Sequence, residues 1–219
     1  MQADRTSLFP VALNLSKRSV LVIGGADEAV EKVPKLIAAG AAVKIVSPEV
    51  DASLARLART RAVSWYARAF AEQDVQGVHL VMLTERDEAL AARLRGLGGF
   101  WLCAIDQPAF SDIYLVSVVR TGPLLVSISS SGEAPLLARR IRQGLERAFD
   151  ARFGEFARKF ARLRAELRAL PKAERIARLT RALDGFAMDV RVSYPDEAGL
   201  GAGGPSDEAR GHDLHTPRD

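Results

Sequence analysis

The amino-acid sequence reads as an α/β protein: a parallel sheet first, then a hairpin, then a helical part. Three observations carry this. Residues 19–118 alternate short apolar runs with helical patterns, the rhythm of a parallel sheet. From 113 to 129 two strand-like runs follow each other across a short Gly-Pro connection. From Pro135 onward apolar residues recur every three or four positions.

SVLVI (19–23) is a short apolar run closed by Gly24-Gly25, and Ala29, Val33, Leu36 and Ile37 then share one helical face that stops at Gly40. AVKIV (42–46) is the second strand, stopped by Ser47-Pro48, and Ala52 to Arg59 reads as a helix. VSWY (63–66) is a third strand and VHLVML (78–83) a fourth, with a helix from about Asp87 to Leu97 behind it. WLCAI (101–105) is the fifth. IYLVSVV (113–119) and LLVSIS (124–129) flank Arg120-Thr121-Gly122-Pro123 and predict a hairpin whose edge needs covering. Helix is expected from Pro135 to about Val192, broken at Leu170-Pro171. Leu137, Ile141, Leu145, Phe149, Phe153, Phe156, Phe160, Leu163, Leu167 and Leu170 would form its core face. Residues 196–219, rich in glycine and acids, read as a disordered tail.

Composition narrows the function classes. The chain has 219 residues, 48% hydrophobic and 26% charged, enough for a real core and unlike a disordered or collagenous chain. Its single cysteine, Cys103, excludes an intramolecular disulfide. No apolar run approaches the roughly 18 residues of a membrane span. The N-terminal MQADRTSLFPVALNL lacks the layout of a signal peptide, so a cytoplasmic protein without membrane attachment is expected. Of the three histidines, His212 and His215 fall in the tail, and His79 sits in an apolar run as a core or strand histidine. No metal site is expected from so few ligands. Net charge is +4, but residues 139–172 carry 11 Lys/Arg against 4 Asp/Glu, a local +7 that leaves −3 on the rest. Nucleic-acid binding is not expected, since no basic strand with interleaved aromatics occurs.

Three segments can carry chemistry. Gly24-Gly25-Ala26-Asp27-Glu28-Ala29 follows a strand and opens a helix, the position of a dinucleotide-binding G-x-G-x-x-G/A turn in a Rossmann-type sheet. Its helix N-terminus would face a pyrophosphate. The second strand ends in Ser47-Pro48-Glu49, and Glu49 is the carboxylate placed to bind a ribose, which favours NAD over NADP; a solvated helix-start acid is the other reading. Asp106-Gln107-Pro108 follows the fifth strand, where Asp106 either faces the cleft or caps a turn. Ser129-Ser130-Ser131-Gly132-Glu133-Ala134-Pro135 joins a strand to a helix, either as a cap or as the lining of an anion pocket.

Taken in order, Leu8-Phe9-Pro10, VLVIGGADEAVEKV, GAAVKIVSPEV, HLVMLTERDEALAARL, AIDQP and SDIYLVSVVRTGPLLVSISSSGEAPLLARRIRQGLE resemble the precorrin-2 dehydrogenase / sirohydrochlorin ferrochelatase family, from about Leu8 to about Val192. This family includes the N-terminal part of siroheme synthase. The resemblance implies a Rossmann domain (1–112), a dimerisation element (113–150), a helical domain (151–195), and work as a homodimer. It implies that NAD⁺ takes a hydride from precorrin-2, with proton loss to sirohydrochlorin, and that some members then insert Fe²⁺ as a second substrate. The family's key aspartate falls on Asp106, as general base. Its phosphorylatable serine falls on Ser130. NAD contacts fall on Gly24, Gly25, Ala26, Asp27-Glu28, Pro48-Glu49 and Thr84. The polycarboxylate substrate would meet Ser130, Arg139, Arg140 and Arg142. This chain departs from the pattern at Ala26 for a glycine, Glu28 for a valine, Glu31 for an arginine and Cys103 for an asparagine, all on the NAD side. A second hypothesis is therefore a non-catalytic NAD- or tetrapyrrole-binding sensor or carrier.

Overall fold

The computed structural model describes residues 8–194. The chain forms two compact units, one ending at Lys159 and one beginning at Phe160. In the first, five parallel strands lie in the order β3-β2-β1-β4-β5. They are β1 (Ser19–Ile23), β2 (Ala42–Val46), β3 (Ser64–Tyr66), β4 (Leu80–Leu83) and β5 (Trp101–Ala104). Between them run α1 (Asp27–Ala38), α2 (Ala52–Arg59) and α3 (Glu88–Leu97). This is the expected α/β architecture.

The central strands are apolar throughout because both sheet faces are covered. Val20 and Val22 pack with Ala29, Val33 and Leu36 of α1 and Leu54 of α2. Leu21 and Ile23, pointing the other way, pack with Ala91 and Leu94 of α3. Each buried valine, leucine or isoleucine among them stabilises by roughly 1.5–3 kcal/mol. Register then sets the functional edge. Ile23 pairs with Val46 and with Leu83, and Leu83 with Ala104. Gly24, Ser47, Thr84 and Ile105, one position further on, therefore stand side by side at the carboxyl ends of their strands.

β4 is shorter than the apolar run implied. It starts at Leu80, and His79 is exposed rather than a core histidine, with its Nε2 3.1 Å from an Arg18 guanidinium nitrogen. Its backbone still pairs with Ser19 and Trp101, so it sits in the ladder while its ring faces out.

The hairpin pairs β6 (Ser117–Thr121) with β7 (Leu124–Ile128) around a two-residue Gly122-Pro123 turn; Arg120 and Thr121 belong to the strand. β6 begins four residues after the apolar run does. Ile113 is spent on a backbone bond to Leu102, and the Tyr114 hydroxyl donates to the Pro108 carbonyl at 3.0 Å.

The helical part divides into α4 (Pro135–Ala148), α5 (Ala151–Glu166) and α6 (Lys172–Arg181). An unexpected break lies at Phe149-Asp150, where the Asp150 carboxylate accepts from the Phe153 N–H at 2.9 Å and restarts the chain as α5. The break at Leu170-Pro171 is as expected, and helix stops at Arg181, well short of Val192. Nor is the periodic apolar face wholly a core face. Ala138 and Leu167 are buried, but Leu137 and Ile141 are exposed, because on α4 only a two-stranded hairpin lies beneath them. Residues 196–219, with His212 and His215, lie outside the described residues.

Candidate functional site

The turn after β1 is closed too tightly for side chains. Gly24 has φ +110°, and a Cβ there would overlap the Thr84 hydroxyl. A Cβ on Gly25 would overlap the Glu49 carbonyl and lie 2.8 Å from the Val50 α-carbon. The Gly24 N–H donates to the Val46 carbonyl at 3.1 Å, and Gly25 accepts from the Asp51 N–H at 2.9 Å. The turn is thus pinned between the ends of β2 and β4.

α1 opens directly behind it. Its N-cap, Ala26, has no side-chain acceptor to offer the first amides of the helix. Free N–H groups at a helix start, beside a turn without side chains, form a cradle for a phosphate. The residues present fit the pyrophosphate of a dinucleotide in this respect. Two acids oppose it. Asp27 is exposed, and Glu28 holds a buried Oε2 with no hydrogen bond, 3.4 Å from the Lys32 ammonium. Burial works against the Lys32 charge, but Glu31 and Glu28 outweigh it and hold its pKa above the usual lysine value. Pro48 and Glu49 are exposed beside the turn. The Thr84 hydroxyl is spent on the Ile23 carbonyl at 2.9 Å, so its side chain is a wall of the turn.

Asp106 stands at the same edge, beyond β5. It is exposed and left-handed, φ +56°, which costs a non-glycine residue on the order of 1 kcal/mol. Its loop is tightly knit. The Ser111 hydroxyl has its one proton within reach of the Ala104 carbonyl at 3.0 Å and the Gln107 carbonyl at 3.2 Å, and accepts from the Ala104 N–H. Asp112 accepts from the Leu102 N–H at 2.9 Å.

Gln107 belongs to the Asp106-Gln107-Pro108 segment, but nothing in the sequence shows what its side chain bonds. Only 4% exposed, it donates from Nε2 to the carbonyls of Glu85 at 3.2 Å and Ile105 at 3.4 Å. Its Oε1 is buried without a partner, at a cost of about 1–3 kcal/mol. Cys103, on the α1 face of β5, is a neutral thiol: burial pushes it up to about 11, against the pull of the nearby Lys32 charge.

The remaining candidates gather elsewhere, where the hairpin leads into α4. Ser130 accepts from the Ala134 N–H at 3.2 Å, and Arg142 pairs with Glu146. Arg139 and Arg140 are exposed; one position apart, they point about 100° from each other around the helix. Two clefts beside Trp101 lie at the amino ends of β4 and β5, and neither is lined by the Gly24 turn or by Asp106. Among the described residues no group of three or more His, Cys, Asp or Glu side chains gathers to hold a metal ion, and no helix is long and apolar enough to cross a membrane.

Residues 11–117 match the family described as "Putative NAD(P)-binding". The siroheme synthase of Ectopseudomonas mendocina (strain ymp) is 36% identical over 165 residues, covering 74% of this chain and 35% of that protein. The siroheme synthase of Neisseria meningitidis serogroup C (strain 053442) is 32% identical over 168 residues, 75% of this chain and 35% of that protein. The chain thus spans about a third of the length of the curated relatives it matches. Among solved structures, that of "SirC, precorrin-2 dehydrogenase" shares the fold, with a TM-score of 0.73 at 23% identity over 81% of this chain and 90% of that one. Residues 11–117 thus match an NAD(P)-binding family, and about three quarters of the chain is similar to the siroheme synthases.

Proposed function

We propose that this chain is an NAD-dependent precorrin-2 dehydrogenase of siroheme biosynthesis, acting as a cytoplasmic homodimer. The observation that carries the reading is the shared strand edge. The Gly24-Gly25 turn and the Asp106 loop stand at the carboxyl ends of β1 and β5, with β4 between them, on the sheet edge where open α/β sheets bind ligands. In this reading the backbone of Gly24, Gly25 and Ala26 and the start of α1 hold the pyrophosphate. Glu49 meets the ribose, with Pro48 beside it, and Thr84 walls the turn. Bound NAD⁺ supplies the hydride acceptor. The exposed Asp106 carboxylate takes the proton that leaves precorrin-2 along with the hydride. Ser130, Arg139, Arg140 and Arg142 bind substrate carboxylates, and Ser130 is the modification site. Residues 1–112 form the nucleotide-binding domain, 113–150 the dimerisation element and 151–195 the helical domain.

The test is precorrin-2 with NAD⁺, followed by absorbance, with and without Fe²⁺. Wild-type protein should give sirohydrochlorin, and siroheme where Fe²⁺ is a further substrate. Asp106→Asn should lose about a hundredfold or more in kcat, the usual weight of a general base, while circular dichroism and NAD⁺ binding stay unchanged. Wild-type turnover in that variant removes Asp106 from the mechanism. Tight tetrapyrrole binding with no NAD⁺-dependent turnover replaces the enzyme by a sensor or carrier.

A further inference from the structure

Gln107 joins two loops that carry different parts of the site. Its Nε2 reaches the Glu85 carbonyl at 3.2 Å and the Ile105 carbonyl at 3.4 Å. Glu85 follows Thr84, and both crowd the nucleotide turn: a Cβ on Gly24 would lie 3.0 Å from Glu85 Oε1 and overlap the Thr84 hydroxyl. Ile105 immediately precedes Asp106. One buried amide therefore fastens the end of β4, which backs the turn, to the end of β5, which presents the carboxylate.

Asp106 needs such a fastening. Its left-handed backbone, which aspartate tolerates better than most side-chain-bearing residues, still leaves a conformation that the surroundings must hold in place. The Gln107 N–H bond to the Ala104 carbonyl closes the loop on its own strand, and the side chain adds the tether to the neighbouring strand. The orphaned Oε1 points the same way. An apolar side chain of equal length would remove that buried, unpaired acceptor, but it could not donate to two carbonyls.

We propose that Gln107 is a positioning residue for the dehydrogenation: its amide holds the Asp106 loop in register with the Thr84-Glu85 loop, and so holds the Asp106 carboxylate at a set place beside the nucleotide turn. This rests on Asp106 being the general base.

The experiment compares wild type, Gln107→Met and Gln107→Glu in two readouts. The first is amide hydrogen exchange in the protein without nucleotide. Gln107→Met should speed exchange at the Gln107 N–H, bonded to the Ala104 carbonyl, about tenfold or more, while Ile105, bonded to Leu83 in the sheet ladder, stays protected. The second is steady-state kinetics with precorrin-2 and NAD⁺. Gln107→Met should lower kcat about tenfold or more and leave both KM values within about twofold, the signature of a lost orientation. Gln107→Glu can donate only when protonated, so its kcat should recover toward wild type as pH falls, with an ionisation absent from the wild-type profile. That recovery also covers the case in which the methionine variant fails to fold.

Unchanged exchange, an unchanged kcat, or a rise in KM alone in Gln107→Met overturns the proposal. So does a Gln107→Glu profile parallel to wild type. If wild-type protein is itself inert with precorrin-2 and NAD⁺, the functional reading falls instead.

Discussion

Gly25 and Ala26 are adjacent, yet they answer to different constraints. A Cβ on Gly25 would run into the Glu49 carbonyl and Val50, so glycine there is demanded by the protein's own backbone. Ala26 has φ −93°, open to any residue, and is exposed. Nothing in the fold asks for glycine at 26; only an approaching ligand would. Ala26→Gly should therefore leave the melting temperature within a few degrees and tighten NAD⁺ binding several-fold, by letting the pyrophosphate nearer the helix start. Calorimetric titration checks this, and unchanged affinity would mean that the alanine methyl lies clear of the nucleotide. The glycines were readable from the sequence because a strand-turn-helix junction admits few alternatives. Gln107 was not, because its importance lies in partners 2 and 22 residues away that only the folded sheet brings together. His79 shows the same limit: its backbone joins the ladder, as the apolar run suggests, but only the folded strand shows that its ring faces out.

The link between β3 and β4 is held by an ion pair as well as by packing, with Phe70 and Val75 laid against the core. Between those strands lies a single 3-10 turn, Glu72–Val75, with no fully buried residue. It is held by Asp74, which accepts from both guanidinium nitrogens of Arg68, at 2.8 and 2.5 Å, and from the Ala71 N–H at 2.9 Å. The Arg68 guanidinium, more than any other group, holds the Asp74 carboxyl below its ordinary value. A depressed carboxyl stabilises the fold above its unfolded pKa, and that contribution drains away as pH falls through the folded one. The turn should thus weaken from about pH 4 downward. Asp74→Asn should cost on the order of 1–2 kcal/mol at pH 7 and nothing relative to wild type near pH 2. Urea melts at the two pH values decide; equal losses at both would mean that the pair acts through shape and not charge. Most strands and α1 to α3 were legible in the sequence because both sheet faces are buried and the first two β-runs end at Gly24 and at Ser47-Pro48. The helix break at Phe149-Asp150 was not, since the apolar period continues straight across it and only the Asp150 cap reveals it.

The hairpin and α4 carry apolar surface that the other described residues leave exposed. Leu125 on β7 and Leu136, Leu137 and Ile141 on α4 are exposed, with Leu115 and Val116 leading into β6. β6 and β7 pair only with each other, so each has an open edge. A two-stranded sheet under one helix is marginal by itself, and contiguous exposed leucines are the surface that a homodimer buries. The basic excess of residues 139–172 begins on the same helix, with Arg139, Arg140 and Arg142 beside these leucines. A second copy seated there would bring two such helices together and gather the arginines proposed to bind substrate carboxylates, which a single α4 spreads around its circumference. Leu137 is 59% exposed in the single chain, so Leu137→Asp should cost its own folding little, within about 0.5 kcal/mol. Paired across an interface it would bury a charge without a partner. Light scattering should give wild type twice the 23.7 kDa of one chain, and Leu137→Asp the mass of one chain with its circular dichroism intact. Substrate affinity should fall with the mass, because the arginines then stand alone. A dimeric Leu137→Asp protein would move the interface off α4, and a monomeric wild type would leave each chain to bind its substrate with one set of arginines.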